Sequence, residues 1–158
     1  YTPVAYVSSQ VVAGTNHLTL CTITPVAPDA VSRYALVTIY EDLNGGAEIT
    51  NIAKSTATAP APYDPETPIS GGYGTPSDPT VTEEVLNAVT KANVSLNGMT
   101  YEPKALLAQQ VVAGMNYSVL CRGKAQNCDD LDYAIVTVYA DLSGGAAFTD
   151  IVGFIDAD

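Results

Sequence analysis

Tryptophan is absent from this 158-residue chain, histidine occurs once, and lysine and arginine together number only six. Each shortage removes a class of function. Set against 17 Asp and Glu, the six cations leave a net charge of −11. A phosphate backbone needs a basic face, which so few cations cannot build, so no nucleic-acid partner is expected. The same balance disfavours anionic membrane surfaces. No apolar run approaches the roughly 20 residues that span a bilayer, so no membrane insertion is expected either. With His17 as the one histidine, no His-based catalytic triad and no His-containing zinc cluster are expected. His17 and Cys21 lie four apart on a predicted strand, about 13 Å at ~3.3 Å per residue, too far to act as a nucleophile pair. Three cysteines, Cys21, Cys121 and Cys128, cannot close a disulfide framework. The local candidate is a Cys121–Cys128 bridge across a hairpin loop; the alternative is buried free thiols at Cys21 and Cys121.

What is present is a core and a repeat. Hydrophobic residues make up 47 % of the chain, enough for packed structure rather than a disordered tail. Residues 1–21 match residues 101–121 without a gap. After one loop differing by a residue, Tyr34-Ala35-Leu36-Val37-Thr38-Ile39-Tyr40 faces Tyr133-Ala134-Ile135-Val136-Thr137-Val138-Tyr139. Asp42-Leu43-Asn44-Gly45-Gly46-Ala47 then faces Asp141-Leu142-Ser143-Gly144-Gly145-Ala146. The chain is therefore two copies of one unit. Residues 55–79, rich in Pro, Gly, Thr and Ser, read as a linker.

Both copies predict the same strands. The first covers residues 4–12 and 104–112. A turn at Gly14 and Gly114 follows, where glycine takes positive φ at little steric cost. The second strand lies near residues 16–23 and 116–122. The third, residues 34–41 and 133–140, alternates: Ala35, Val37 and Ile39 share one face, and Tyr34, Leu36, Thr38 and Tyr40 the other. Asn44-Gly45-Gly46 and Ser143-Gly144-Gly145 are hairpin signals, leading to a last strand over residues 47–52 and 146–154. The Gly pairs lack the Lys and the strand-to-helix context of a phosphate loop.

Helix is predicted once. Thr80-x-x-Glu83 is a capping-box pattern, and Val81, Val85, Leu86, Val89 and Ala92 then share one helical face. A helix of about thirteen residues, roughly 20 Å long, covers one face of such a sheet. The first copy has no such segment, and a bare sheet face forfeits about 1.5–3 kcal/mol for each wet Val or Leu. The expectation is a preceding helix missing from this chain, or another element over that face.

Here the residues resemble a family. Helix, long strand, Gln-x-Val-x-Gly hairpin, Asn-Tyr and two further strands are similar to the cystatins. Gln110-Val111-Val112-Ala113-Gly114-Met115-Asn116-Tyr117 is close to the stefin form, and Gln10-Val11-Val12-Ala13-Gly14-Thr15-Asn16 is closer. The resemblance implies an α+β fold: a four-stranded antiparallel sheet wrapped on one helix, duplicated, the first copy lacking its helix. The implied domains are residues 1–54, a linker over 55–79, and a complete second repeat over 80–158. It also implies non-covalent blocking of papain-like cysteine proteases by three segments at one edge. These are a trunk at Gly74, the hairpin Gln110, Val111, Val112, Ala113 and Gly114, and a second hairpin at Leu142, Ser143 and Gly144. Gln10, Val11, Val12, Ala13 and Gly14 form a second possible wedge. The second hairpin departs from the family, which places Pro-Trp or Leu-Pro there.

A rigid apolar hairpin loses little entropy on docking, which favours a wedge; the alternative is that Val-Val-Ala-Gly serves only the turn and strand packing. No catalytic activity, cofactor or metal is expected. Asp129, Asp130 and Asp132, and the tail Asp156 and Asp158, match no EF-hand spacing. The acceptor patterns Asn93-Val94-Ser95 and Asn116-Tyr117-Ser118 are not read as used. Tyr34, Leu36 and Tyr40, repeated as Tyr133, Ile135 and Tyr139, make one sheet face Tyr-rich, which suggests packing between repeats or in a homodimer. The rival function is a non-inhibitory secreted or surface adhesion module that binds through that face. A secreted or cell-envelope setting is expected from the resemblance, the linker and the low Lys content.

Overall fold

A computed structural model describes residues 1–60, 71–128 and 131–157. Residues 61–70 of the expected linker, together with Asp129, Asp130 and Asp158, lie outside the described residues. The chain divides into two compact units: unit 1 is Tyr1–Ala59 with Phe154–Asp158, and unit 2 is Pro60–Gly153.

Unit 1 contains β1 (Thr2–Val12), β2 (Gly14–Ile23), β3 (Arg33–Glu41) and β4 (Ala47–Thr58). Unit 2 contains α1 (Glu83–Asn93), β5 (Met99–Val112), β6 (Gly114–Ala125), β7 (Leu131–Ala140) and β8 (Ala146–Gly153). A short β9 (Ile155–Asp156) pairs back onto β4 in unit 1. All pairings are antiparallel, in the orders β1-β2-β3-β4-β9 and β5-β6-β7-β8.

The duplicated α+β arrangement is thereby corrected. The chain is mostly β, 58 % strand against 8 % helix, with one helix and two separate antiparallel sheets among the described residues. The first sheet has five strands, because Ile155 and Asp156 bond to Lys54 and Ala53. Asn51 also donates to the Asp156 carboxylate at 3.0 Å, and the Ala157 amide donates to Ile52. The strands overrun their sequence signals too. β4 continues to Thr58, and β5 and β6 add a further ladder from Met99 opposite Ala125. Once one register is fixed, each added backbone pair satisfies groups that would otherwise need water, so pairing outlasts the hydrophobic alternation.

The two copies share their irregularities. β1 on β2 slips between Pro3 and Ala5 and between Tyr6 and Ser8; β5 on β6 slips at Pro103 to Ala105 and Leu106 to Ala108. Proline has no N–H to give a ladder, so Pro3 and Pro103 sit where the pairing is already broken.

In unit 2 the helix face made by Val85, Ala88, Val89 and Ala92 is buried. It packs with Leu106, Tyr117, Val119, Cys121, Ala134, Val136 and Val138 of the sheet. Two expectations about the helix fail. Thr82, not Thr80, is the N-cap, its hydroxyl accepting from the Val85 amide at 3.4 Å. Thr80 instead gives its amide and hydroxyl to the Asp78 carboxylate. Leu86 is 48 % exposed, because Ala88, three residues on from Val85, takes the inward position. Unit 1 buries Cys21, Ala35 and Val37, with Ile23, Ile39 and Ile52 packed around them. On the Tyr-rich face, Tyr34 is only 3 % exposed, and Leu36 and Ile135 are buried. Burial pushes the Tyr34 hydroxyl up to about 12.

All three cysteines are free, so the Cys121–Cys128 bridge is not formed; Cys121 is buried and Cys128 exposed. Burial pushes the Cys121 thiol from 9.0 to about 12. The folded thiol stays protonated where the unfolded one ionises, so this contribution to stability is present below about 9 and lost as pH rises towards about 12.

Three outcomes follow. Val89→Ala lowers the unfolding free energy by about 2 kcal/mol in urea titrations, while Leu86→Ala changes it by less than about 0.5. Near pH 8, a thiol reagent labels Cys128 alone in the native protein and all three cysteines in concentrated guanidinium. Urea midpoints hold from pH 6 to 8 and fall as pH rises above about 9.

Candidate functional site

The segments singled out in the sequence meet at one end of each sheet. In unit 2, Val112 pairs with Gly114 across a one-residue turn at Ala113, and Met115 pairs with Ala140. The β5–β6 turn therefore stands beside the end of β7, where the β7–β8 turn begins. In unit 1, Val12 pairs with Gly14 and Thr15 with Glu41, giving the same juxtaposition.

The tips are apolar and solvated. Val111 is 70 % exposed, Leu142 is 83 % exposed, and Val112, Ala113, Ser143 and Gly144 are also exposed. In unit 1, Val11 and Leu43 are each 83 % exposed, and Gln10, Val12 and Ala13 are open to solvent as well. None of these side chains is charged, in a chain of net charge −11. Beta strands commonly leave single apolar residues wet. Four apolar side chains on two adjoining turns are a patch instead.

Backbone geometry holds each tip. Gly114 has φ 114° and Gly14 has φ 123°. A β-carbon on Gly114 would overlap the Ala140 carbonyl oxygen, and one on Gly14 the Glu41 carbonyl oxygen. Glycine is therefore required by both conformation and close approach. The Tyr139 hydroxyl crosses the gap and donates to the Ala113 carbonyl; Tyr40 does the same to Ala13. These tyrosines had been assigned to a packing face. Their recurrence in step with Gly14 and Gly114 was the signal that could have revealed the clamp. The second turn is fixed by Asp141, whose carboxylate accepts the amides of Ser143 and Gly145, each at 2.8 Å. Asp42 does this for Asn44 and Gly46 at 2.7 and 3.1 Å.

Unit 2 has two further supports. Gly74 pairs with Gln109 through both backbone bonds, at 2.8 and 2.9 Å, laying the segment before it along the outer edge of β5. The Gln110 amide donates to the Gly71 carbonyl at 2.5 Å, and Asn116 donates to the Gln110 side-chain oxygen at 2.9 Å. Gly74 is thus brought beside the Gln110–Gly114 turn. Lys91, in the last turn of α1, donates to the Gly144 carbonyl at 2.8 Å; sequence reasoning missed it, since nothing local links residues 53 apart. Unit 1 shows no counterpart of Gly74 or Lys91 among its described residues. There His17 replaces Tyr117, bonding Glu41 at 3.0 Å and the Tyr6 hydroxyl at 3.2 Å.

Among the described residues no three His, Cys, Asp or Glu side chains gather as a metal site, and no helix is long and apolar enough to cross a membrane. Asn93 uses its side-chain amide on both backbone groups of Tyr101, at 2.7 and 2.9 Å.

Gly114→Ala destabilises unit 2 by about 3 kcal/mol, whereas Gly144→Ala, with open space around it, costs about 1 kcal/mol. Tyr139→Phe costs about 1 kcal/mol, the worth of one hydrogen bond. Thermal melts of the three variants check this order. No family model matches the chain, and no curated protein matches it.

Proposed function

We propose that this chain is a non-catalytic binding protein that blocks an open cleft with the double-hairpin end of unit 2, and that its partner is a papain-like cysteine protease. The observation that carries this reading is the convergence of three segments with uncharged tips at one sheet end. They are the segment bridged to β5 at Gly74, the turn bearing Val111 and Val112, and the turn bearing Leu142. Each is held by hydrogen bonds to its backbone before any partner arrives.

Such an edge binds economically. Its turns are already ordered, so docking loses little conformational entropy. Val111, Val112 and Leu142 supply apolar area to the centre of the contact, where most binding energy is concentrated. The partner class comes from the resemblance of Gln110–Gly114 to the cystatin hairpin, not from the overall architecture. A secreted or cell-envelope setting belongs to the same proposal. Unit 1 presents a parallel wedge at Gln10–Gly14 with Leu43, without a counterpart of the Gly74 bridge among its described residues. Two wedges on one chain would raise avidity for a partner carrying two clefts.

The test is a titration of the intact chain against papain and a cathepsin. The expected result is stoichiometric inhibition with a nanomolar constant. Gly114→Glu abolishes it, and Leu142→Ala weakens it about tenfold, equivalent to roughly 1.4 kcal/mol. Absence of inhibition of both enzymes at roughly 50 µM overturns the partner class, a level at which even weak binders of this kind register.

A further inference from the structure

Unit 1 has only two lysine or arginine residues, Arg33 and Lys54. They sit together. Ile23 pairs with Arg33, and Ala35, two residues on, pairs with Lys54. Both cations line one crevice of about 180 Å³, whose other walls are Ile23, Pro25, Val31 and Ser55. The crevice lies at the end of the sheet away from the hairpin tips.

Neither cation is engaged: among the described residues, Arg33 and Lys54 make no ion pair and no side-chain hydrogen bond. Two like charges on adjoining strands repel, and a chain carrying 17 carboxylate residues brings none of its described ones against them. Ser55 is 3 % exposed, and its oxygen accepts from the Ala57 amide at 3.1 Å. Its hydroxyl donates no hydrogen bond among the described residues. The duplicate supplies an internal contrast. The counterparts of Ile23, Arg33 and Lys54 in unit 2 are Gly123, Asp132 and Gly153. The repeat does not need cations at this position to fold; at Arg33 the sign is reversed.

We infer that this crevice is a binding site for a carboxylate borne on a short apolar body. Arg33 presents a forked donor that matches a carboxylate, Lys54 adds a second positive charge, and Ser55 adds a neutral donor. Ile23, Pro25 and Val31 take the apolar part. A free phosphate would leave those walls uncovered by any matching surface. The volume falls below the ~300 Å³ lower bound of clefts for drug-sized ligands, which limits the body to a few carbons or one residue. A short free carboxylic acid and the carboxyl end of a peptide share this chemistry. This site is separate from the proposed wedge and stands or falls independently of it.

The test uses the intact, ¹⁵N-labelled chain and amide chemical shifts. The probes are sodium hexanoate and N-acetyl-Val-Leu with a free carboxyl end, each against its amide. The expected result is saturable shifts at Ile23, Arg33, Lys54 and Ser55 with at least one carboxylate, little response to the amides, and no response at Gly123, Asp132 or Gly153. The tighter of the two carboxylates identifies the source. Arg33→Gln with Lys54→Gln changes two exposed side chains, keeps the native spectrum elsewhere, and weakens binding at least about tenfold. Equal shifts from hexanamide, no saturable shift from either carboxylate, or unchanged binding by the double variant overturns the site.

Discussion

The close approach of backbone to backbone at Gly114 is the constraint on which the rest of unit 2's exposed end depends. No side chain fits between residue 114 and the Ala140 carbonyl, so the β5–β6 turn is drawn against the end of β7. That places Ala113 within reach of the Tyr139 hydroxyl and sets the β7–β8 turn alongside. The same contact recurs at Gly14 and Glu41, so the shape of the tips is a property of the repeat. The apolar character of the tips is a separate matter. Nothing about the turn demands valine at 111 or leucine at 142, and both side chains point into water. Geometry explains the glycine and the tyrosine; it does not explain the exposed valines and leucines.

The two copies have diverged where local surroundings differ. Tyr117 is buried in a core closed by α1, while its counterpart His17 lies at a polar surface with Glu41 and Tyr6. Lys91 steadies one second turn, and among the described residues unit 1 has no such tie. Asp132 and Arg33 carry opposite charges at equivalent places. A common backbone has thus been fitted with different surfaces, which is how one scaffold comes to carry unrelated sites.

Much of the local structure was legible. Alternation along residues 34–40 and 133–139 placed β3 and β7, paired glycines placed the turns, and 3.6-residue spacing placed α1. What escaped depended on distant partners. β9 is two residues long and has no pattern of its own; only the free edge of β4 makes it a strand. The helix cap moved to Thr82 because Asp78 competes for Thr80. The share of strand was underestimated, and with it the fold class, because ladders extend past the alternating core into residues whose composition reads as loop. At the candidate site, the hairpin residues stood out through their repetition. The tyrosine clamp, the Lys91 bond and the meeting of Arg33 with Lys54 did not, since each joins residues that only the register of the sheets brings together.

The fifth strand of unit 1 comes from residues that follow unit 2 in the chain, so the first sheet is interrupted by a whole second fold. During synthesis β4 leaves the ribosome almost a hundred residues before the segment that will cover its outer edge. At about 5–20 residues per second, that edge waits roughly 5–20 s in the cell with its amides and carbonyls unpaired. Unit 2, whose strands and helix are contiguous, is complete within that interval. Nascent chains stalled in it would therefore display a longer template for strand addition by their neighbours, one that Ile155 and Asp156 shorten by pairing with Lys54 and Ala53.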